Sequence, residues 1–131
     1  MKIKLTSIIV DDRGKALKFY TEVLGFVKSK DIPVGEFKWL TVVSPEGHPD
    51  VELSLEPNAN PAARAFQEAL FKQGIPLTAF EVTDIQQEFQ RLKAQGVVFS
   101  KEPMKTGPVR VAIFSDTCGN LIQIYQPPSV A

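Results

Sequence analysis

The sequence predicts an α+β fold made of two tandem modules, each running strand, helix, then three strands, with a helix between them. Three observations carry this reading. LTSIIVDD at residues 5 to 12 is echoed by LTAFEVTD at residues 77 to 84, with Leu5 over Leu77, Thr6 over Thr78, Val10 over Val82 and Asp12 over Asp84. Each copy leads into an amphipathic helix that stops at a glycine. Each then continues into β-prone segments punctuated by Pro and Gly.

Taken in order, Leu5 to Val10 is the first strand and Asp12 is placed to cap the helix that follows. RGKALKFYTEVLGF sets Ala16, Leu17, Tyr20, Val23 and Leu24 on one face and ends at Gly25. FVKSKDI and FKWLTVV flank a turn at Pro33 and Gly35, and VELSLEP at residues 51 to 57 closes the first module. In NANPAARAFQEALFKQGIP, Asn60 is a cap, Pro61 suits the first turn, and Ala65, Phe66, Ala69 and Leu70 form an apolar stripe expected to pack on a sheet. The second module repeats the plan. After Asp84, Ile85, Phe89 and Leu92 mark a helix that ends at Gly96, and VVFS, VRVAIF and LIQIYQP supply its last strands. The expected boundaries are about 1 to 57 for module 1, about 60 to 74 for the connecting helix and about 75 to 128 for module 2.

Composition narrows the function classes. A chain of 131 residues suffices for one domain with a core. Fifteen basic and fifteen acidic side chains cancel, so no global field recruits nucleic acid or an anionic membrane. The apolar runs fall well short of the roughly 20 residues a bilayer span needs, and no secretory leader is evident. Cys118 is the single cysteine, which excludes an internal disulfide and fits a reducing compartment, with the cytoplasm as the expected location.

The repeated unit, the helix signature ALKFYTEVLGF and the ending GNLIQI together resemble the vicinal oxygen chelate superfamily. That group includes glyoxalase I, bleomycin-resistance proteins, fosfomycin-resistance proteins and extradiol dioxygenases. The resemblance spans essentially the whole chain. It implies that the two modules form a cup-shaped mixed sheet, with helices on the convex side and ligand on the concave side, and it makes a homodimer an expected state. It does not transfer an activity, because a shared fold hosts many functions.

Strand alternation then assigns faces. In VELSLE, Val51, Leu53 and Leu55 form the row suited to helix packing, which turns Glu52, Ser54 and Glu56 toward the cup. In LIQIYQ, Ile122 and Ile124 face the helices while Leu121, Gln123 and Tyr125 face the cup. Glu52 and Gln123 are read as counterparts, as are Trp39 and Arg110.

Metal-using members of the resembled superfamily place four ligands, one on the first and one on the last strand of each module. Those positions fall here on Leu5 (or Thr6 in a register slipped by one), Glu52, Thr78 and Gln123. Only Glu52 is a strong donor to a transition ion, since Leu has no lone pair and neutral hydroxyl and amide oxygens bind weakly beside imidazole or carboxylate. No metal and no other cofactor is therefore expected. His48, the single histidine, lies in PEGHPD and reads as a turn residue. Cys118, in SDTCGN, reads as a small turn residue without a base to activate it.

The expected function is binding of a small organic molecule in a metal-free cup, resembling the bleomycin-resistance branch. Its ligand-binding candidates are Ser7, Phe37, Trp39, Glu52, Ser54, Thr78, Phe80, Gln123 and Tyr125. Phe37 and Trp39 suit a cup wall or an interface equally well. The alternative is a glyoxalase-like lyase, isomerase or dioxygenase with an atypical divalent-metal site. Glu52 is then the best catalytic candidate, as a metal ligand or as a base whose pKa is raised in a partly dry cup. A third reading is a degenerate interaction domain with a filled cup.

Overall fold

In the computed structural model, which describes residues 1 to 129, the chain divides into two units, Met1–Ala65 and Phe66–Ala131. The first unit contains β1 (Leu5–Val10), α1 (Arg13–Lys18), β2 (Val27–Val34), β3 (Phe37–Val43) and β4 (Glu52–Pro57). α2 (Pro61–Gln73) crosses the boundary. The second unit continues with β5 (Thr78–Glu81), α3 (Ile85–Ala94), β6 (Phe99–Thr106), β7 (Val109–Ser115) and β8 (Leu121–Gln126). Strand, helix and three further strands thus recur, as the repeat predicts.

Each unit holds one four-stranded mixed sheet, in the order β1-β4-β3-β2 in the first and β5-β8-β7-β6 in the second. β1 runs parallel to β4 and β5 parallel to β8, while the other neighbours are antiparallel. A parallel pair needs a crossover connection, and in both units the path between the paired strands passes through a helix. The helix starts follow the sequence closely. Asp12 accepts a hydrogen bond from the Lys15 amide at 2.9 Å, and Asp84 accepts one from Gln87 at 3.1 Å, each satisfying a donor the first turn leaves unpaired. Asn60 caps α2 in the same way, accepting from the Ala62 amide. α1 does not stop at Lys18; it widens into a π-type turn over Phe19–Val23. Gly25 and Gly96 then take positive φ, 90° and 88°, where a residue with a Cβ is disfavoured.

One face of each sheet is covered by its helix. In the first unit Ile8, Val10, Leu40, Val42, Leu53 and Leu55 join Ala16, Phe19 and Tyr20 in the core. In the second, Phe114, Ile122 and Ile124 are buried with Ile85, Phe89 and Leu92 of α3, and the Phe99 ring bridges Phe89 and Phe114 at centroid distances of 4.8 and 5.5 Å. Val51 departs from its expected role: it precedes β4 and is exposed.

α2 is the main correction. Phe66 is 48% exposed, Ala65 and Ala69 are also exposed, and the one buried residue of the helix is Gln67. Its amide donates to the Cys118 carbonyl at 3.2 Å and to Asn120 Oδ1 at 2.9 Å. Asn120 in turn donates from its side chain to Asp116 Oδ2, while the backbone amides of Cys118 and Asn120 both donate to Asp116 Oδ1. The helix is anchored here by a buried polar chain, which burial makes costly to break.

Candidate functional site

Strand register decides which side chains share the uncovered face of the first sheet. β1 and β4 pair Leu5 with Glu52, Ser7 with Ser54 and Ile9 with Glu56. β3 and β4 pair Thr41 with Ser54 and Val43 with Glu52. β2 and β3 pair Lys30 with Thr41, Ile32 with Trp39 and Val34 with Phe37. One face therefore carries Ser7, Phe37, Trp39, Glu52 and Ser54, five of the expected ligand-binding residues, together with Lys30 and Thr41. Thr6 pairs with Leu53 and lies on the other face. Along β2 and β3 the face is apolar and open, with Phe37 71% exposed and Trp39, Ile32 and Val34 at 36, 44 and 55%.

Polar groups occupy its centre. Lys30 Nζ donates to Glu52 Oε2 at 2.5 Å, and the Thr41 hydroxyl donates to Glu52 Oε1 at 2.6 Å. The same ammonium lies 4.9 Å from the centre of the Trp39 ring, in range for a cation-π contact. Ser54 is buried and donates to Glu56 Oε1 at 2.7 Å. Lys30 went unnoticed in the sequence because it sits 22 residues from Glu52 on an otherwise ordinary strand, and only the β2-β3-β4 pairing joins them.

This arrangement runs against the raised-pKa base that the enzymatic alternative would ask of Glu52. The hydrogen bond from Lys30 holds its carboxyl below the ordinary glutamate range, Thr41 adds to this, and the opposing effect of burial is smaller. Glu52 is thus an anion paired with a cation, not a base with raised affinity for protons. A depressed folded-state pKa contributes stability above the unfolded value, and that contribution is lost as pH falls through the lower folded value. Glu52→Gln is accordingly expected to flatten the decline of unfolding free energy on the acid side of the glutamate range. Denaturant titrations at stepped pH measure it.

The residues at the superfamily's ligand positions do not fit a transition ion. Leu5 and Glu52 are cross-strand partners, but Leu5 has no donor atom and both Glu52 oxygens are engaged by Lys30 and Thr41. Among the described residues no three His, Cys, Asp or Glu side chains converge. His48 lies exposed between β3 and β4, where its carbonyl accepts from the Val51 amide.

The second sheet sorts its candidates differently. Gln123 pairs with Ala79 and Ile113, and Tyr125 with Glu81 and Val111, so Gln123 and Tyr125 share the face away from α3. Thr78 and Phe80 pair with Ile122 and Ile124 and belong to the α3 side, which corrects the placing of Thr78 and Phe80 beside Gln123. The counterparts shift as well. β4 pairs Ser54 with Thr41 and β8 pairs Gln123 with Ile113 at the matching points of the two sheets, making Ser54 rather than Glu52 the match of Gln123. Arg110 matches Lys38 rather than Trp39, because the burial patterns of β3 and β7 align Leu40 with Ala112. Cys118 is fully buried in the turn that Asp116 organises.

This combination of duplicated units with parallel β1-β4 and β5-β8 pairs agrees with the sequence comparisons. The sequence model of the Glyoxalase/Bleomycin resistance protein/Dioxygenase superfamily matches residues 2–124. The chain belongs to that superfamily. Within it, the chain is 56% identical over 126 residues to the uncharacterized protein YurT of Bacillus subtilis (strain 168), covering 96% of this chain and 99% of that one. Among solved structures of the superfamily's fold, UcmS2 superposes with a TM-score of 0.82 at 31% identity, covering 95% of this chain and 97% of that one. TnmS3, an antibiotic binding protein from Streptomyces sp. CB03234, superposes with a TM-score of 0.77 at 30% identity, covering 97% and 96%.

Proposed function

We infer that the chain binds a small, largely apolar organic molecule on the uncovered face of its first sheet, without a metal. The observation that carries this is the exposed row of Phe37, Trp39, Ile32 and Val34 beside the Lys30, Glu52 and Thr41 cluster. Aromatic and aliphatic walls supply binding energy through desolvation, while a few fixed polar groups orient the ligand. Lys30, already paired with Glu52 and Trp39, is the group placed to meet a carbonyl or an electron-rich ring. The similarity to TnmS3, an antibiotic binding protein, supports the same class of ligand. A lyase or dioxygenase reading asks for a carboxylate free to take a metal or a proton, and Glu52 is committed to Lys30 and Thr41. The functional form is proposed to be a cytoplasmic homodimer, which sedimentation velocity across a concentration series tests for its oligomeric part.

Trp39 is the only tryptophan, so its fluorescence reports this face alone. Titration with a panel of aromatic natural products and antibiotics is expected to quench it saturably for at least one compound, unchanged by EDTA. Trp39→Ala, followed by calorimetry, is expected to weaken that compound at least about tenfold, equivalent to about 1.4 kcal/mol. A panel without any saturable quencher counts against the reading, as does a ligand whose binding EDTA abolishes.

A further inference from the structure

The second unit carries a depression of about 460 Å³ lined by Lys105, Pro108, Arg110, Gln126, Pro127, Pro128 and Ser129. None of these residues belongs to the face discussed above, and its chemistry is one-sided. Lys105 and Arg110 stand directly opposite each other in the β6-β7 register, and Arg110 in turn stands opposite Gln126 of β8. Like charges placed opposite each other across a sheet repel. Neither cation has a carboxylate within ion-pair distance among the described residues, and no acidic side chain lines the depression. Gln126 completes the set in an informative way. Its Oε1 accepts the Ile85 amide at the start of α3, at 2.9 Å, so its acceptor end is taken and its NH2 group is the end left to donate. Three strands therefore present an ammonium, a guanidinium and an amide NH2 side by side. All three are donors, two carry positive charge, and three prolines stand around them.

We propose that this depression is a binding site for the oxyanion group, phosphate or carboxylate, of a small molecule. A guanidinium takes such a group through two parallel hydrogen bonds, and the ammonium adds a point charge. The anion relieves the repulsion between Lys105 and Arg110, and the rigid walls of Pro108, Pro127 and Pro128 suit an apolar body attached to it. The volume falls within the range of about 300–1,000 Å³ typical of small-molecule sites.

The test uses the full chain and titrates inorganic phosphate and, separately, acetate at constant ionic strength, with chloride as the balancing anion. Binding is followed by amide NMR shifts and by melting temperature. Saturable shifts centred on Lys105, Arg110 and Gln126 are expected from at least one oxyanion, and the tighter of the two names the head group. Arg110→Gln and Lys105→Gln are each expected to weaken it at least tenfold. Lys105→Gln carries a second signature: without oxyanion it should melt no lower than wild type, since it removes a repulsion, yet lose the oxyanion-dependent rise. Both side chains are exposed, so the variants are expected to fold, and circular dichroism checks this. Shifts matched by chloride alone, or wild-type affinity retained in both variants, overturn the proposal. So does an adventitious pattern spread over all surface lysines.

Discussion

Asp116→Ala is expected to lower the midpoint of denaturant unfolding more than any other polar substitution in the chain. Asp116 is fully buried and receives three N–H groups, the backbone amides of Cys118 and Asn120 and the side-chain amide of Asn120. Removing the carboxylate leaves all three without an acceptor at a place shielded from water. Each orphaned buried donor costs about 1–3 kcal/mol, which puts the total at about 3 kcal/mol or more. The loss extends beyond the turn, because Asn120 holds Gln67, the only buried side chain of α2. Asp116→Asn separates charge from geometry. Its carbonyl oxygen can keep the two backbone amides, but its NH2 would face the NH2 of Asn120, so a smaller loss is expected. Urea titrations of the three proteins give the order wild type, Asn, Ala; hydrogen exchange at the Cys118 and Asn120 amides should accelerate in the same order. Equal stability of Ala and wild type would remove the buried chain from the account of how α2 is held.

Much of the fold was legible because its determinants are local. Asp12 and Asp84 sit just ahead of their helices, Gly25 and Gly96 just behind them, and both caps and both left-handed glycines are found where the sequence places them. The α3 stripe of Ile85, Phe89 and Leu92 is buried as its spacing requires. What the sequence hid depends on partners far along the chain. α2 reads as amphipathic around Phe66 and Leu70, yet Gln67 is the residue drawn inward, since its acceptor on Asn120 is 53 positions away. Register was hidden for a related reason. Irregularities at Lys28 and Lys30 in β2, and at Phe99, Lys101 and Met104 in β6, break the even count along these strands. Shifting a strand by one residue exchanges its faces. β3, β5, β7 and β8 pair evenly, yet nothing in the sequence marks the offset between them; it is their observed register that aligns Arg110 with Lys38 and puts Thr78 and Phe80 on the α3 side. Alternation within one strand needs no such count, so Glu52 and Ser54 on β4, and Gln123 and Tyr125 on β8, were grouped correctly. The acid-base character of Glu52 was hidden for a different reason: it is set by Lys30, whose proximity only the paired sheet creates.

Phe114→Ala is expected to destabilise the protein by about 3–5 kcal/mol, the range for truncating a buried aromatic residue. The ring is fully buried between the sheet and α3, and it meets Phe99 at 5.5 Å, which in turn meets Phe89 at 4.8 Å. Deleting it removes apolar burial and opens a cavity at one end of this aromatic run. Collapse of the cavity is opposed because the flanking Ala112 and Ile122 are themselves held by strand pairing. The informative comparison is with Trp39→Ala. Both changes delete a large ring from within a strand, but Phe114 is fully buried whereas Trp39 is 36% exposed, with Lys30 over its ring and Ile32 as its β2 partner. Truncating a ring that keeps about a third of its surface in water is expected to cost less, about 1–2 kcal/mol. The two variants therefore assign opposite roles to the two faces. Phe114→Ala should lower the urea midpoint while ligand affinity, measured well below that midpoint, stays near wild type. Trp39→Ala should lower the midpoint clearly less and lose the ligand. If Trp39→Ala instead destabilised the chain as strongly as Phe114→Ala, Trp39 would be a core residue, and the uncovered face of the first sheet would lose its standing as the binding surface.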